Sequence, residues 1–209
     1  MSGLFLALGT AILASIWLGP LLILWRGSIT AHMLAHMGIL AIVAPLLALG
    51  LKHRLAQART SNAASWPIVA SLVELVVVWG WHAPAARRWA ESSLAGTVAE
   101  QVSFLVAGLF LWLSCLAAAS TSKAACQAAG AFALLLTTIH MTLLGALLGL
   151  SARPLYGDSD VTCFGTTLTA AQDQQLGAVI MLLLGAASYL AGGVALLAGL
   201  FGEPRRRAL

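Results

Sequence analysis

Thr30-Ala-His32-Met33-Leu-Ala-His36-Met37-Gly-Ile-Leu-Ala-Ile-Val-Ala-Pro45-Leu-Leu-Ala-Leu-Gly50 is one apolar run holding two histidines. Its length suits a single bilayer crossing, because about 20 apolar residues at ~1.5 Å rise span a ~30 Å hydrocarbon core. A helix over the run stacks His32 above His36 on one face, since residues four apart lie one turn apart. Ionisable groups are expensive inside a membrane, so those present face a bundle interior and carry function. The histidine pair is therefore the first candidate for chemistry.

The rest of the chain repeats the apolar pattern. Of 209 residues, 60% are hydrophobic and 9% charged, where a soluble domain carries roughly 25% charged residues. The reading is one polytopic membrane domain over 1–209. Windows of spanning length at about 3–25, 30–51, 66–82, 97–119, 124–150 and 174–201 predict an all-α bundle of about six transmembrane helices. The breaks between them hold turn chemistry: Arg26-Gly27-Ser28, Lys52 to Asn62, Pro84 to Ser93, Ser120 to Lys123, and Arg153 to Gln172. The 83–96 stretch has the makings of a short interfacial helix. Leu4 to Leu24 lacks a basic leader and a cleavage signature, and reads as a retained first span.

The basic residues sit at segment ends rather than in clusters interleaved with aromatics, which excludes a nucleic-acid partner and makes the lipid bilayer the surrounding medium. With both termini inside, the inner side holds Lys52, Arg54, Arg59, Lys123, Arg205, Arg206 and Arg207. The outer side holds Arg26, Arg87, Arg88 and Arg153, so the bias favours N-in, C-in. Cys115, Cys126 and Cys163 form no C-x-x-C pair and read as small packing residues.

That topology gathers scattered polar groups. His32 and His36 lie toward the outer end of the second helix, and His82 closes the third at the same face. Glu100 and Gln101 open the fourth there, and Asp173 opens the sixth. His140 lies ~14 Å below Leu150, and Met181 ~12 Å below Asp173, by helical rise. Imidazole is the commonest metal ligand and thioether favours copper(I). A copper site drawn from His32, His36, His82, His140, Glu100, Asp173 and Met181 is the sharp reading.

Each residue also has a plainer reading. His32 suits hydration at headgroup depth, His82 suits anchoring beside Trp79 and Trp81, and His53 suits a surface loop. Met33, Met37, Met141 and Met181 serve equally as adaptable core filler. Glu74, mid-span, must be protonated, paired with a cation or bound to a metal. Gly145 and Gly149 form a small-x-x-x-small pattern that fits helix packing better than chemistry.

The ordered motifs resemble a known family. They are His32-x-x-x-His36 with Ala44-Pro45, Trp81-His82-x-Pro84, Glu100 before Ser103-Phe104, Leu143 to Leu148 before Arg153-Pro154-Leu155-Tyr156, and Asp173-Gln174-Gln175-Leu176 before Ile180-Met181. Together they are similar to the CtaG-like assembly factors of caa-type cytochrome c oxidases. The resemblance covers most of the chain from the second helix onward. It implies a multi-pass protein of the bacterial inner membrane that supports copper-centre maturation, with oxidase subunits and a periplasmic copper donor as partners. The carry-over reaches His32, His36, His82, Glu100, Asp173 and Gln175. Two departures stand out: Gln101 where relatives usually have His, and no additional first span.

The expected function is a non-catalytic assembly factor that binds copper near the periplasmic face. One rival is a bis-histidine heme protein pairing, for example, His36 with His140. Another is a copper transporter, which needs inner-face ligands where only His53 is available. A zinc hydrolase using Glu100 or Glu74 lacks the H-E-x-x-H pattern.

Overall fold

A computed structural model describes residues 1–56, 65–116 and 123–206, without the side chains of 53–56, 123 and 202–206. The expectations placed on the His53 side chain, Arg59, the 120–122 turn and the arginines at 205–207 lie outside what is described. The architecture is an all-α bundle. Helix α1 (Ser2–Leu18) breaks at Gly19-Pro20 into α2 (Pro20–Ile23). The Thr30–Gly50 run becomes α3 (Ile29–Met37), a π-helical stretch (Gly38–Val43) and α4 (Ala44–Ala56). Then follow α5 (Trp66–His82), α6 (Pro84–Ser92), α7 (Leu94–Leu116) and α8 (Lys123–Gly149). A hairpin of β1 (Val161–Cys163) and β2 (Thr166–Leu168) precedes α9 (Ala170–Gly185), a second π-helical stretch (Ala186–Leu190) and α10 (Ala191–Arg206).

Among the described residues, 5 helical stretches are long and apolar enough to cross a membrane, or up to 6 if α5 and α6 count as one bent span. Helix α5 has 17 residues and turns 73° into α6. The corner follows from sequence: Ala83 precedes Pro84, which pushes it out of the helical region to φ −63, ψ 132. Helix α6 falls within the 83–96 stretch, where a short helix is expected.

The first π-helical stretch exposes backbone carbonyls, and the bundle uses them. Pro45 has no N–H to bond Ala41 O four residues back. That carbonyl instead accepts from Ser188 Oγ at 2.7 Å, and Leu40 O accepts from Trp112 Nε1 at 3.1 Å. Ser188 belongs to the second π-helical stretch, so the two irregular turns are joined to each other.

In lipid, close packing rather than water exclusion holds helices together, and small residues allow it. A Cβ on Gly108 of α7 would meet Leu40 Cδ2 at 2.7 Å, and one on Gly145 of α8 would meet Leu182 Cγ at 2.9 Å. Gly145 and Gly149 both face α9, which fits the packing reading of that pair. The core between helices holds Leu40, Phe104, Leu111, Leu134, Met141 and Tyr189.

Among the described residues, the hairpin is the one departure from an all-helical expectation. Phe164 and Gly165 form its two-residue turn with φ 51 and 76, the positive angles that a tight primed turn requires. The strain of a left-handed Phe is offset where its ring meets Trp25, with centroids 4.2 Å apart.

The ends of the bundle are well defined. A Cβ on Gly50 would touch Leu6 and the carbonyl of Ser2, so the N-terminus lies beside the end of α4. At the opposite end Arg87 bonds the Arg26 carbonyl and Tyr156 bonds the His82 carbonyl. Reporter fusions at Leu209 and in the 157–160 loop are therefore expected to report opposite compartments, with the former cytoplasmic by the basic-residue bias. Matching compartments would contradict the span count.

Candidate metal centre

Three imidazoles meet near the end of the bundle that carries Arg26 and Arg87. His32 and His36 share a face of α3, stacked with centroids 5.8 Å apart at 10°. His82, the last residue of α5, stands 5.5 Å from His32 and 5.1 Å from His36. Phe104 of α7 walls the cluster at 4.5 Å from His36. All three histidines are buried, His36 completely.

Their hydrogen bonding is unusual for buried polar groups. His82 Nδ1 lies 2.7 Å from the Val78 carbonyl, which can only accept, so Nδ1 carries the proton and Nε2 presents its lone pair. That nitrogen has no partner, nor has either ring nitrogen of His32 or His36. Nearly all buried side-chain polar atoms find a hydrogen bond, so five unpartnered nitrogens at one spot call for an explanation. A backbone bond fixing the far side of an imidazole is the arrangement found behind metal-binding histidines.

Glu100 of α7 completes the group. Its Oε2 lies 3.7 Å from His32 Nδ1 and accepts from Gln101 Nε2 at 3.1 Å. Its Oε1 lies 3.7 Å from Arg87 Nη1. Arg87 reaches in from α6, buried, and also bonds Glu91 at 3.0 Å and the Arg26 carbonyl at 2.9 Å. A cavity of about 10 Å3 touches His32, Arg87 and Glu100, about enough for one water.

The loop after α8 holds this corner in place. Tyr156 donates to the His82 carbonyl at 2.9 Å. Burial pushes the Tyr156 hydroxyl up to about 12, so it remains a donor throughout the physiological range. Gln174 ties the loop down, accepting from Leu155 N at 2.8 Å and donating to Leu148 O at 2.9 Å.

The other candidate residues lie elsewhere. Asp173 caps α3 instead of facing the imidazoles. Its Oδ1 accepts from Ser28 Oγ at 2.7 Å and Thr30 N at 3.1 Å, and its Oδ2 from Ile29 N at 2.6 Å. A carboxylate at a helix N-terminus satisfies orphan amides and complements the dipole, which accounts for this residue without a metal. Met33 and Met37 turn to α9, packing at Gly177 and Gly185. Met181, midway between those glycines at four-residue spacing, lies on the same α9 face and is fully buried. His140 is buried on α8 with both ring nitrogens unpartnered, and among the described residues its ring meets no other histidine. Gln175 is exposed.

Among the described residues, no three His, Cys, Asp or Glu side chains are drawn tightly enough to hold an ion as they stand. The ring centres nevertheless cluster, so the shortfall lies in where the nitrogens point. Sequence reading passed over two residues of this corner. Arg87 reads as an interfacial cation, although Arg87 and Glu91 at i, i+4 behind Pro84 mark one face of a short amphipathic helix. Tyr156 is visible only as part of a loop motif.

The model of one protein family, described as cytochrome c oxidase caa3 assembly factor, matches residues 2–203. No curated protein and no solved structure matches the chain.

Proposed function

Since the chain belongs to the cytochrome c oxidase caa3 assembly factor family, we propose that it serves oxidase assembly by holding copper as cargo on His32, His36 and His82. Glu100 stands beside the ion. The site faces the periplasmic side of a bacterial inner membrane, where a soluble copper donor and the oxidase subunits can reach it. The protein carries the ion without turning over a substrate.

The observation that carries this reading is the set of five unpartnered nitrogens on three neighbouring buried imidazoles. Spacing supports it. Ligand nitrogens sit about 2.0–2.1 Å from an ion and about 1.1 Å from their ring centre, which puts three ring centres roughly 5.2–5.5 Å apart. The observed separations of 5.1, 5.5 and 5.8 Å bracket that range. Converging the nitrogens on one ion requires the His32 and His36 rings to rotate out of their near-parallel stack. The His82–Val78 bond fixes the tautomer that leaves Nε2 free. Bound copper supplies a redox-competent centre for delivery. The chain's own residues bind it, screen it with Phe104 and keep it below the loop held by Tyr156.

The test is the copper content of protein purified anaerobically from copper-replete cells. Wild type should retain copper. His36→Ala should lose most of it, because two imidazoles cannot complete the coordination. His53→Ala should leave it unchanged. Wild type without copper, or His36→Ala with undiminished copper, refutes the site. Oxidase activity in the His36→Ala strain then links site to assembly: normal activity alongside lost copper would disconnect the two.

A further inference from the structure

We propose that the cavity between α1–α2 and α7 binds the ring of a membrane-borne hydroquinone. The proposal goes beyond the copper reading and does not depend on it.

Helix α1 is loosely held: of its 17 residues only Gly9 and Ile16 are buried. Its last turn, the short α2 and the first turns of α7 enclose a cavity of about 250 Å3. Trp17, Leu22 and Ile23 line one side, Val98, Gln101 and Val102 the other, and Arg26 also borders it. Ile23, Val98 and Val102 are exposed, so the cavity opens sideways, where lipid lies. An apolar cavity of about 150 Å3 accommodates benzene, so this one admits a ring with substituents.

Two polar atoms of the lining lack partners among the described residues. Gln101 is 3% exposed, and its Oε1 is unpaired. Its Nε2 donates to Glu100 Oε2 at 3.1 Å. A carboxylate only accepts, so the amide nitrogen faces Glu100 and the carbonyl oxygen is the atom left over. On the opposite side, the buried Trp17 Nε1 donates to nothing. Buried polar atoms without partners are rare. An acceptor and a donor left open on two sides of one cavity point to a ligand.

The pair states what that ligand carries. Gln101 Oε1 needs a donor, and the Trp17 N–H needs an acceptor. Arg26, whose Nη1 reaches the Glu91 carbonyl only at 3.4 Å, offers further donors. The phosphate and ester oxygens of a phospholipid only accept. Gln101 lies ~10 Å along α7 from Leu94, the first residue of that helix, and so below the level of headgroup hydroxyls. Water answers both atoms but leaves the apolar walls unfilled. A hydroquinone meets every demand. Each phenolic hydroxyl donates and accepts, so one serves Gln101 while the other accepts from Trp17 or Arg26. Its ring packs against the Trp17 indole. Its tail follows Leu94, Val98, Val102 and Val106, an exposed apolar stripe at four-residue spacing along α7. The oxidised form, a quinone, has acceptors only and leaves Gln101 unanswered, so the site prefers the reduced ring. Gln101 also ties the cavity to the histidine corner, since Glu100 Oε2 stands 3.7 Å from His32 Nδ1.

The experiment is equilibrium binding of a decyl-tailed benzohydroquinone, and of the matching benzoquinone, to detergent-purified full-length protein kept anaerobic. Wild type should bind the hydroquinone on the order of tenfold more tightly than the quinone, the worth of one buried hydrogen bond whose acceptor is otherwise unmet. In Gln101→Leu that preference should vanish. Trp17→Phe keeps an aromatic ring, removes the N–H and should weaken both forms by a similar factor. Equal binding of the two forms by wild type, or a preference that survives in Gln101→Leu, overturns the proposal. So does displacement of the hydroquinone by phosphatidylglycerol, which would make the cavity an ordinary lipid seat. If Gln101→Leu fails to accumulate, Trp17→Phe carries the test, and unchanged affinity overturns the proposal. Wild type that binds neither form overturns it outright and leaves the copper reading standing.

Discussion

Asp173→Ala is expected to destabilise the folded protein by about 3–5 kcal/mol, the cost of removing one side of a buried charge-assisted set. The carboxylate accepts from Ser28 Oγ, Ile29 N and Thr30 N at the start of α3. Its loss strands two backbone amides and a hydroxyl in a buried setting, where each unmet donor costs about 1–3 kcal/mol. Asp173→Asn should fall between, because its amide group turns a donor toward one of those donors. Thermal unfolding in detergent reads this directly, with a shift of roughly 10 °C for the alanine variant. The same experiment separates two roles for Asp173. A cap lowers stability and accumulation, and copper per folded molecule stays the same. A ligand lowers copper per folded molecule at unchanged stability, and that result would reject the capping role argued above.

Glu74→Lys is expected to prevent accumulation in the membrane, and Glu74→Gln to be tolerated. Glu74 is fully buried in α5, and Tyr189 donates to its Oε1 at 2.5 Å. An amide keeps that acceptor and the shape of the side chain. An ammonium offers only donors to a tyrosine hydroxyl deep in the bundle, and burying an unpaired charge there costs several kcal/mol. Tyr189 is also held by stacking on Trp112, with centroids 5.8 Å apart, so it cannot withdraw to make room. Membrane fractions probed for both variants decide the matter. Equal levels would show that water reaches this position.

Much of this was legible in the sequence. Hydropathy marks the spans to within a few residues, because a bilayer demands long apolar helices and leaves little else to choose. The meeting of His32, His36, His82 and Glu100 follows from alternating span direction together with i, i+4 spacing, both properties of the chain itself. What distinguishes Asp173 from a ligand is not local. A carboxylate at that level can cap or coordinate, and only the position of Ser28 across the bundle decides between them. Arg87 and Arg88 look alike in sequence, yet one is buried against Glu100 and the other exposed; the 73° turn after α5 aims one face of α6 at the bundle, and of the two only Arg87 lies on it, ~100° around the helix from Arg88. The methionines were misleading for a simpler reason. Position i+1 lies on a different face from position i, and closeness in sequence to a histidine is not closeness in space. The hairpin was hidden because Phe164 is a poor left-handed residue, rescued by a tertiary contact with Trp25.

The π-helical stretch at Gly38–Val43 adds in effect one residue to the helix that carries the histidines. Leu34 and Ile42, eight residues apart, would sit ~80° out of line on an uninterrupted α-helix. The extra residue brings them to within ~20°, and Leu34, Ile42, Pro45, Leu46 and Leu49 are the positions at least partly open on that side. The stretch thus works as a phase shifter. It keeps the open positions of one helix in line with each other while its first turns present imidazoles to the bundle. Deleting a single residue there would leave every side chain apolar and every span long enough, yet would swing His32 and His36 by ~100° relative to α4. Register, more than composition, keeps the histidines facing inward.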